Sequence, residues 1–450
     1  MPPPLIILHG WSDEAASFRR LAGHLAEVLV GMEVEEIVLG EYLSMDDTVR
    51  FSDLVAAMER AWGERGLPRA PQSVDLLAHS TGALVARDWM ASGFPDGRTP
   101  IHHLVLLAPA NFGSPLAHLG RSLLGRVSRG FFRKGEDQRV FHTGGQILRG
   151  LELGSPYTWD LARRDRFGAE ESTAYGPGRT LATVLIGDRG YPGIRGIRNE
   201  PGSDGTVRWS GADLNPVYAR LEYRCEGDPE TEPERPCLAE MREPAGPTAF
   251  RLLPGVDHGT ITLNRPRSRL TQAQQGVREA IVRALTVRAE DFAGYCEECA
   301  AATSALTGED GYQNTVVRVR DQLGDPVEDY LLEFYDPARP DGGAAAVRLH
   351  REGVEHLHVN RESPSYRCFY LSTKVFRREA RRLPGPLALS LTAEPDLEEN
   401  PVGYRTLSDD AIDDFLLDES TLARLLQPHR TLLLEIVLER RQRRGVMVLR

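Results

Sequence analysis

Ser80 sits in Ala78-His79-Ser80-Thr81-Gly82, where a short apolar run (Val74, Leu76, Leu77) stops and small helix formers (Ala83, Leu84, Val85, Ala86) begin at once. A buried strand turning sharply into a helix lifts a serine hydroxyl clear of the sheet. It also aims that hydroxyl at the helix N-terminus, where backbone N–H groups can hold an oxyanion. Ala78 and Gly82 supply the small flanks that such a turn needs, because strand and helix backbones pass close together there. A nucleophilic serine needs a base for its proton and a carboxylate to orient that base. Among twelve histidines, His258 in Val256-Asp257-His258-Gly259 has the right place, just beyond an apolar run at 250–253, and the right chain order. Two aspartates compete for the third role. Asp204, in Gly202-Ser203-Asp204-Gly205-Thr206-Val207, is preferred for its loop setting; Asp188, at the tip of the apolar run Leu181–Gly187, is the alternative. Asp257 is set aside, since a sequence neighbour rarely folds back to the far ring nitrogen. The oxyanion donors are read as the backbone amides of Thr81 and of Trp11, the latter in the loop His9-Gly10-Trp11 after the first apolar run.

The elements that must hold these groups alternate. Strands are expected at 5–8, 34–39, before Ser80, and at 101–108, 181–187 and 250–253; helices are expected at 17–29, at 48–66, after Ser80, and over 268–306. Continuous apolar strands alternating with amphipathic helices indicate an α/β class, a mostly parallel sheet with helices on both faces. Ligands of such sheets sit at the carboxyl ends of the strands. His9, Ser80, Asn111, Asp188 and His258 all fall at such ends.

The segments around His9-Gly10-Trp11, Ser80, Asp204 and His258 place the reactive candidates in the order Ser, Asp, His. This set resembles the α/β-hydrolase superfamily, and within it the bacterial lipase-like serine esterases. Alanine at the first elbow position is similar to the Ala-His-Ser-x-Gly elbow of some bacterial lipases. Asn111-Phe112-Gly113-Ser114-Pro115 and Leu153-Gly154-Ser155-Pro156 resemble two further lipase segments. The resemblance covers about the first 300 residues and implies an α/β-hydrolase domain over 1–307. The activity it implies is carboxylic-ester hydrolysis of acyl lipids, by a lipase or phospholipase, through an acyl-enzyme on Ser80. Two alternatives stand beside it: an acyltransferase, thioesterase or amidase using the same triad, or a non-catalytic hydrolase-fold binding protein. His9, Gly10, His79, Asn111 and Phe112 are expected to contribute to substrate binding. No metal and no organic cofactor is implied.

Residues 115–170 interrupt the alternation and read as a cap or lid insertion. Leu116, Leu119, Leu123 and Leu124 are interspersed there with Arg121, Arg126, Arg129, Arg133 and Lys134, beside Phe131-Phe132. A basic amphipathic helix can lie on an anionic lipid surface, so membrane-surface contact is expected through the cap, with a solvated arginine face as the alternative. Residues 226–247, rich in Glu, Pro and Gly, read as a mobile excursion.

A chain of 450 residues exceeds what one core usually spans, so a second domain is expected over 308–450. Turn signals there separate short strands at 330–334, 345–349, 356–359, 366–375, 387–391 and 432–438, which indicates an antiparallel β-sandwich-like accessory domain. Val319-Arg320-Asp321 to Gly324-Asp325-Pro326-Val327 resembles the opening of immunoglobulin-like accessory domains. A net charge of −11 argues against nucleic-acid binding. Five sparse cysteines do not make a disulfide framework, and Cys296-Glu-Glu-Cys299 lacks a second Cys/His pair for a metal. Neither a secretory signal nor a membrane span is read from the sequence. The expected address is the cytoplasm, with signal-independent export as the alternative, and no oligomeric state is specified.

Overall fold

The computed structural model describes residues 2–9, 15–42, 46–117, 144–192, 199–223, 236–339, 344–393, 402–405 and 415–442. Two compact units are present. One combines Met1–Asn215 with Pro244–Gly308, the other Pro216–Glu243 with Glu309–Arg450.

In the first unit the chain runs through β1 (Leu5–Leu8), α1 (Ala15–Val28), β2 (Val34–Ile37), α2 (Phe51–Glu64), β3 (Val74–His79), α3 (Thr81–Gly93), β4 (Ile101–Leu107) and β5 (Leu181–Gly187). It then leaves for the other unit as β6 (Val217–Glu222) and β7 (Cys237–Arg242), and returns as β8 (Ala249–Leu253). The sheet order is β2-β1-β3-β4-β5-β8, with every ladder parallel. Parallel strands covered on both faces must be apolar throughout, and every residue of β1, β3 and β5 is buried. From β1 the chain steps outward to β2, then crosses back past β1 to β3. That reversal opens a crevice at the carboxyl ends of β1 and β3, next to His9 and Ser80.

The helices follow their apolar stripes. In α1, Phe18, Leu21 and Leu25 are buried at helical spacing. The start of α2 is fixed by Asp53, whose carboxylate accepts from the Arg50 amide at 2.8 Å, and its inner face buries Leu54, Met58, Ala61 and Trp62. Each such large apolar side chain contributes roughly 1.5–3 kcal/mol through its burial. The helix expected over 268–306 is two helices, Gln272–Thr286 and Phe292–Thr307. A reciprocal cap between Thr271 and Gln274 starts the first. Of the cap insertion, helices Gly145–Gly150 and Pro156–Asp165 are described. Its arginine-rich stretch with Phe131-Phe132 lies outside the described residues, so the lipid-surface helix expected there does too.

The second unit adds β9 (Tyr312–Asp321), β10 (Tyr330–Tyr335), β11 (Val354–Val359), β12 (Tyr366–Ser372), β13 (Leu387–Ala393), β14 (Val402–Arg405), β15 (Phe415–Leu417) and β16 (Thr431–Gln442). Seven strands form one sheet, β11-β12-β9-β16-β6-β7 with β14 also on β16, and β10-β13-β15 form another. The smaller sheet is antiparallel. In the larger one β16 runs parallel to β9 and β6, so that sheet is mixed. Val317, Val319, Leu332, Leu389, Leu434 and Ile436 belong to one buried cluster.

Three expectations need correcting here. Residues 345–349 are helical, Ala344–Arg348 running on into the π-helical segment Leu349–Gly353, because three alanines favour that state and burying Ala346 and Leu349 follows the helical period. The strand expected over 366–375 stops at Ser372, whose hydroxyl caps helix Thr373–Ala380. Part of the supposed excursion at 226–247 is strand β7, so the first unit is not a continuous 1–307 stretch. Among the described residues no helix is long and apolar enough to cross a membrane.

Candidate active site

Ser80 adopts φ 52° and ψ −120° between β3 and α3. A positive φ is costly for a residue with a Cβ, and the neighbours hold it there. The Ser80 amide donates to Leu107 O on β4 at 3.0 Å, and Ser80 O accepts from the Ala83 amide at 3.2 Å. The close approach also explains Gly82, where a Cβ would stand 2.8 Å from His9 O and 3.2 Å from Leu8 O. Thr81 begins α3, so its amide is a free-end donor of the kind an oxyanion needs. Gly10 and Trp11 lie outside the described residues.

Asp204 is wholly buried in a turn that uses its own side chain. Its Oδ1 accepts from the Thr206 and Val207 amides at 2.9 and 2.8 Å, and Gly205 takes φ +91°. The loop is braced by a paired Arg208 and Glu200, with Nε–Oε2 at 2.6 Å and Nη2–Oε1 at 3.0 Å. What remains of the carboxylate, Oδ2, lies 2.8 Å from His258 Nδ1, and Asp204 O accepts from the His258 amide at 3.1 Å. His258 Nε2 lies 3.2 Å from Ser80 Oγ. The three side chains that the sequence singled out thus form a continuous hydrogen-bonded chain.

The alternative acid, Asp188, does other work. Its Oδ1 accepts from the Gly255 amide at 2.7 Å and so fixes the turn that leads from β8 to His258. Asp257 Oδ1 accepts from the Gly259 and Thr260 amides at 3.0 and 2.8 Å, closing the loop just after the histidine. Gly187 is needed at the end of β5 because Val256 O passes 2.1 Å from where its Cβ would be.

Of the residues proposed from sequence for substrate contact, His9, His79, Asn111 and Phe112 are buried among protein partners. His9 is fully buried with Nε2 3.2 Å from Glu36 Oε2. Burial raises the Glu36 carboxyl above its ordinary value, against the opposing pull of Arg19 and Arg65. The rings of His9, Phe18, His79 and His258 pack in series at 4.3, 5.5 and 5.0 Å, so His79 backs the imidazole of His258. Asn111 is buried, taking a hydrogen bond from Arg87 Nη1 at 3.1 Å and giving one to Ala212 O at 2.6 Å. Phe112 is buried as well, and its amide donates to Gly211 O at 2.9 Å. Ser114 Oγ donates to Thr206 O at 2.6 Å, so the segment after β4 holds the acid loop in place.

Sequence reasoning missed the group beneath. Arg87 of α3 is fully buried and makes a two-pronged pair with Asp165, Nε–Oδ2 at 2.8 Å and Nη2–Oδ1 at 3.0 Å. Burial alone would lower its pKa, but the adjacent Asp165 carboxylate outweighs that and raises it. Tyr175 donates to the same carboxylate at 3.1 Å. The available signal was a charged residue following the wholly apolar stretch Ala83–Ala86 of a buried helix, which demands a partner. On helix Phe292–Thr307, burial pushes the Cys296 thiol up to about 12 and also raises Cys299, which keeps both protonated and unreactive.

The six-stranded parallel sheet, its switch point and the serine turn define an α/β-hydrolase fold, here carrying an additional C-terminal β region. No protein-family model matches the chain, and no curated protein matches its sequence. Among solved structures, the chain is similar to the phospholipase PlaB from Legionella pneumophila, at 24% identity and a TM-score of 0.78 over 99% of this chain and 96% of that one. The same protein in complex with thio-NAD matches at 23% identity and a TM-score of 0.78, with the same coverage. The mature lipase BlEst2 of Bacillus licheniformis is a far looser match, with 15% identity and a TM-score of 0.35 over 64% of this chain and 93% of that one.

Proposed function

We propose that the chain is a serine carboxylic-ester hydrolase acting on acyl lipids, with phospholipid esters as the favoured substrates. The observation that carries this reading is the hydrogen-bonded series Asp204–His258–Ser80, at 2.8 and 3.2 Å, at the switch point of a parallel sheet. Asp204 Oδ2 accepts from His258 Nδ1–H, which leaves Nε2 unprotonated toward the serine. Ser80 Oγ attacks the ester carbonyl as its proton passes to Nε2. The oxyanion so formed is held by the Thr81 amide, with Trp11 assigned as the second donor from the sequence. Protonated His258 then returns the proton to the leaving alcohol, and water, activated by the same ring, releases the fatty acid from the acyl-serine.

The choice of acyl lipid over other esters is supported by likeness across both units to a protein named as a phospholipase. Fluorophosphonate labelling of the purified chain, followed by a panel of phospholipids and triacylglycerols with products identified by mass spectrometry, tests both parts. Wild type should be labelled and release fatty acid from phospholipid; Ser80→Ala should do neither while keeping its circular dichroism. Turnover surviving in Ser80→Ala refutes the nucleophile. Labelling without release from any lipid refutes the substrate class alone.

A further inference from the structure

At the opposite end of β3 from Ser80 the parallel ladder with β4 is irregular. Val74 pairs with Ile101 but Leu76 pairs with Leu104, so His102 and His103 together stand opposite the single residue Asp75. On a regular strand, neighbouring side chains point to opposite faces. An inserted residue breaks that alternation and re-aims a side chain, and such bulges are rare between parallel strands. Here it brings two imidazoles to one carboxylate. His103 Nδ1 is 2.9 Å and His102 Nδ1 3.7 Å from Asp75 Oδ1, with the two rings 4.0 Å apart. One ligand atom from each of the three lies within 4.8 Å of the others.

We propose that Asp75, His102 and His103 bind a transition-metal ion, with Zn²⁺ the best fit. His103 Nε2 lies 2.9 Å from Val287 O, which can only accept, so that nitrogen carries the ring proton. With only that proton on the ring, the Nδ1 lone pair would face Asp75 Oδ1, which also accepts from the His103 amide at 3.1 Å, so the contact calls for either a second ring proton or a metal ion between the two. A proton would satisfy the His103–Asp75 pair, but it gives no reason for the second imidazole. A metal uses all three groups, and the His103–carbonyl bond is the outer contact that orients metal-binding histidines. Two imidazole nitrogens and one carboxylate oxygen suit zinc rather than Ca²⁺ or Mg²⁺, which prefer all-oxygen sites. Tetrahedral bonds of about 2.0–2.1 Å put ligand atoms roughly 3.3 Å apart, and the 2.9 and 3.7 Å separations bracket that value.

The Asp75 and His103 side chains are 2% and 5% exposed, whereas His102 is 31% exposed and gives the ion a way in and a side for a water ligand. Lying away from Ser80, the ion would act as a brace. It would pin the starts of β3 and β4 to each other and, through Val287, to the end of helix Gln272–Thr286.

The full chain, stripped with a chelator and dialysed, is titrated with ZnCl₂ and separately with CoCl₂. Elemental analysis, the visible absorption of bound Co²⁺ and the thermal unfolding midpoint are followed. Wild type should bind a single ion, show the intense bands of tetrahedral cobalt, and unfold at higher temperature with zinc. His102→Ala, at a part-exposed position that leaves the His103–Asp75 pair intact, should weaken zinc by at least about 10-fold and abolish the cobalt bands. A control replacing His356 and His358, the adjacent pair on β11, should behave as wild type. Absence of stoichiometric binding by wild type, or equal binding by His102→Ala, overturns the proposal and leaves a proton between His103 and Asp75.

Discussion

Replacing Asp204 by asparagine separates what this residue does for the fold from what it does for chemistry. Its Oδ1 takes two backbone amides at 2.8–2.9 Å, and an asparagine carbonyl can keep both. The loop should therefore persist. At the Oδ2 position, 2.8 Å from His258 Nδ1, the variant places an amide N–H. A donor there selects the imidazole tautomer with its proton on Nε2, where it can no longer accept the proton of Ser80. Loss of that orientation in a serine triad costs about 10⁴ in kcat, equivalent to roughly 5.4 kcal/mol of barrier. The companion variant Asp188→Asn keeps an acceptor for the Gly255 amide and should stay within about threefold of wild type, since an exchange of that kind removes no group from the reacting series. Stopped assays on a p-nitrophenyl ester, with urea unfolding run in parallel, give both quantities. Asp204→Asn retaining more than a tenth of wild-type kcat, or Asp188→Asn collapsing at unchanged stability, would refute the assignment of the acid.

Four further outcomes follow from the structure. Gly82→Ala forces α3 away from the His9 and Leu8 carbonyls that sit 2.8 and 3.2 Å from the new Cβ; displacement of Ser80 by that shift should lower kcat by about 10²-fold, measured at saturating ester. Arg87→Met leaves Asp165 buried without its two-pronged partner and should cost about 3–5 kcal/mol in urea unfolding, most of which Asp165→Leu in the same chain should recover. Burial holds the His429 imidazole at about 4, below its ordinary 6.5, so the unfolded chain takes up a proton that the folded chain refuses. Stability present in full above pH 6.5 should fall as the pH drops toward 4, by about 3 kcal/mol at most, and His429→Asn, which tolerates the φ of 62° there, should flatten that slope in thermal scans. Below pH 4.5 a second loss should set in. There Glu379, which burial alone would raise but which hydrogen bonds from Arg348, Arg378 and Arg382 hold at about 2, begins to take up protons in the unfolded chain.

Much of the first unit was legible because its signals are local. A strand that stops at Ala-His-Ser-Thr-Gly and an aspartate set between turn residues carry their geometry in a few neighbouring positions. The loop histidine after the last strand is of the same kind. Arg87 and Asp165 were hidden because each looks ordinary until α3 and helix Pro156–Asp165 are brought together. The pairing of His102 and His103 with Asp75 was hidden for a different reason: regular strand alternation sends adjacent side chains apart, and only the irregular ladder reverses that. Ala344–Arg348 was misread because a short apolar run fits strand and helix alike, and alanine propensity decided it. The β7 stretch, with no residue fully buried and two of its six charged, has the composition of a loop, as outer strands commonly do.

The detour of β6 and β7 has a bearing on how the polypeptide can be made and cut. β6 pairs on one side with β7 and on the other with β16, which follows it only after the whole of the second unit's other strands. A nascent chain therefore carries this strand pair with an open hydrogen-bonding edge from the completion of β7 until β16 emerges. A truncation after Gly308 would make that vacancy permanent and leave β6 and β7 without the partner strand that covers their open edge. Neither unit is thus a cassette that recombination could lift out with a single break, and any shuffling of this architecture must carry residues 216–243 along with the C-terminal half.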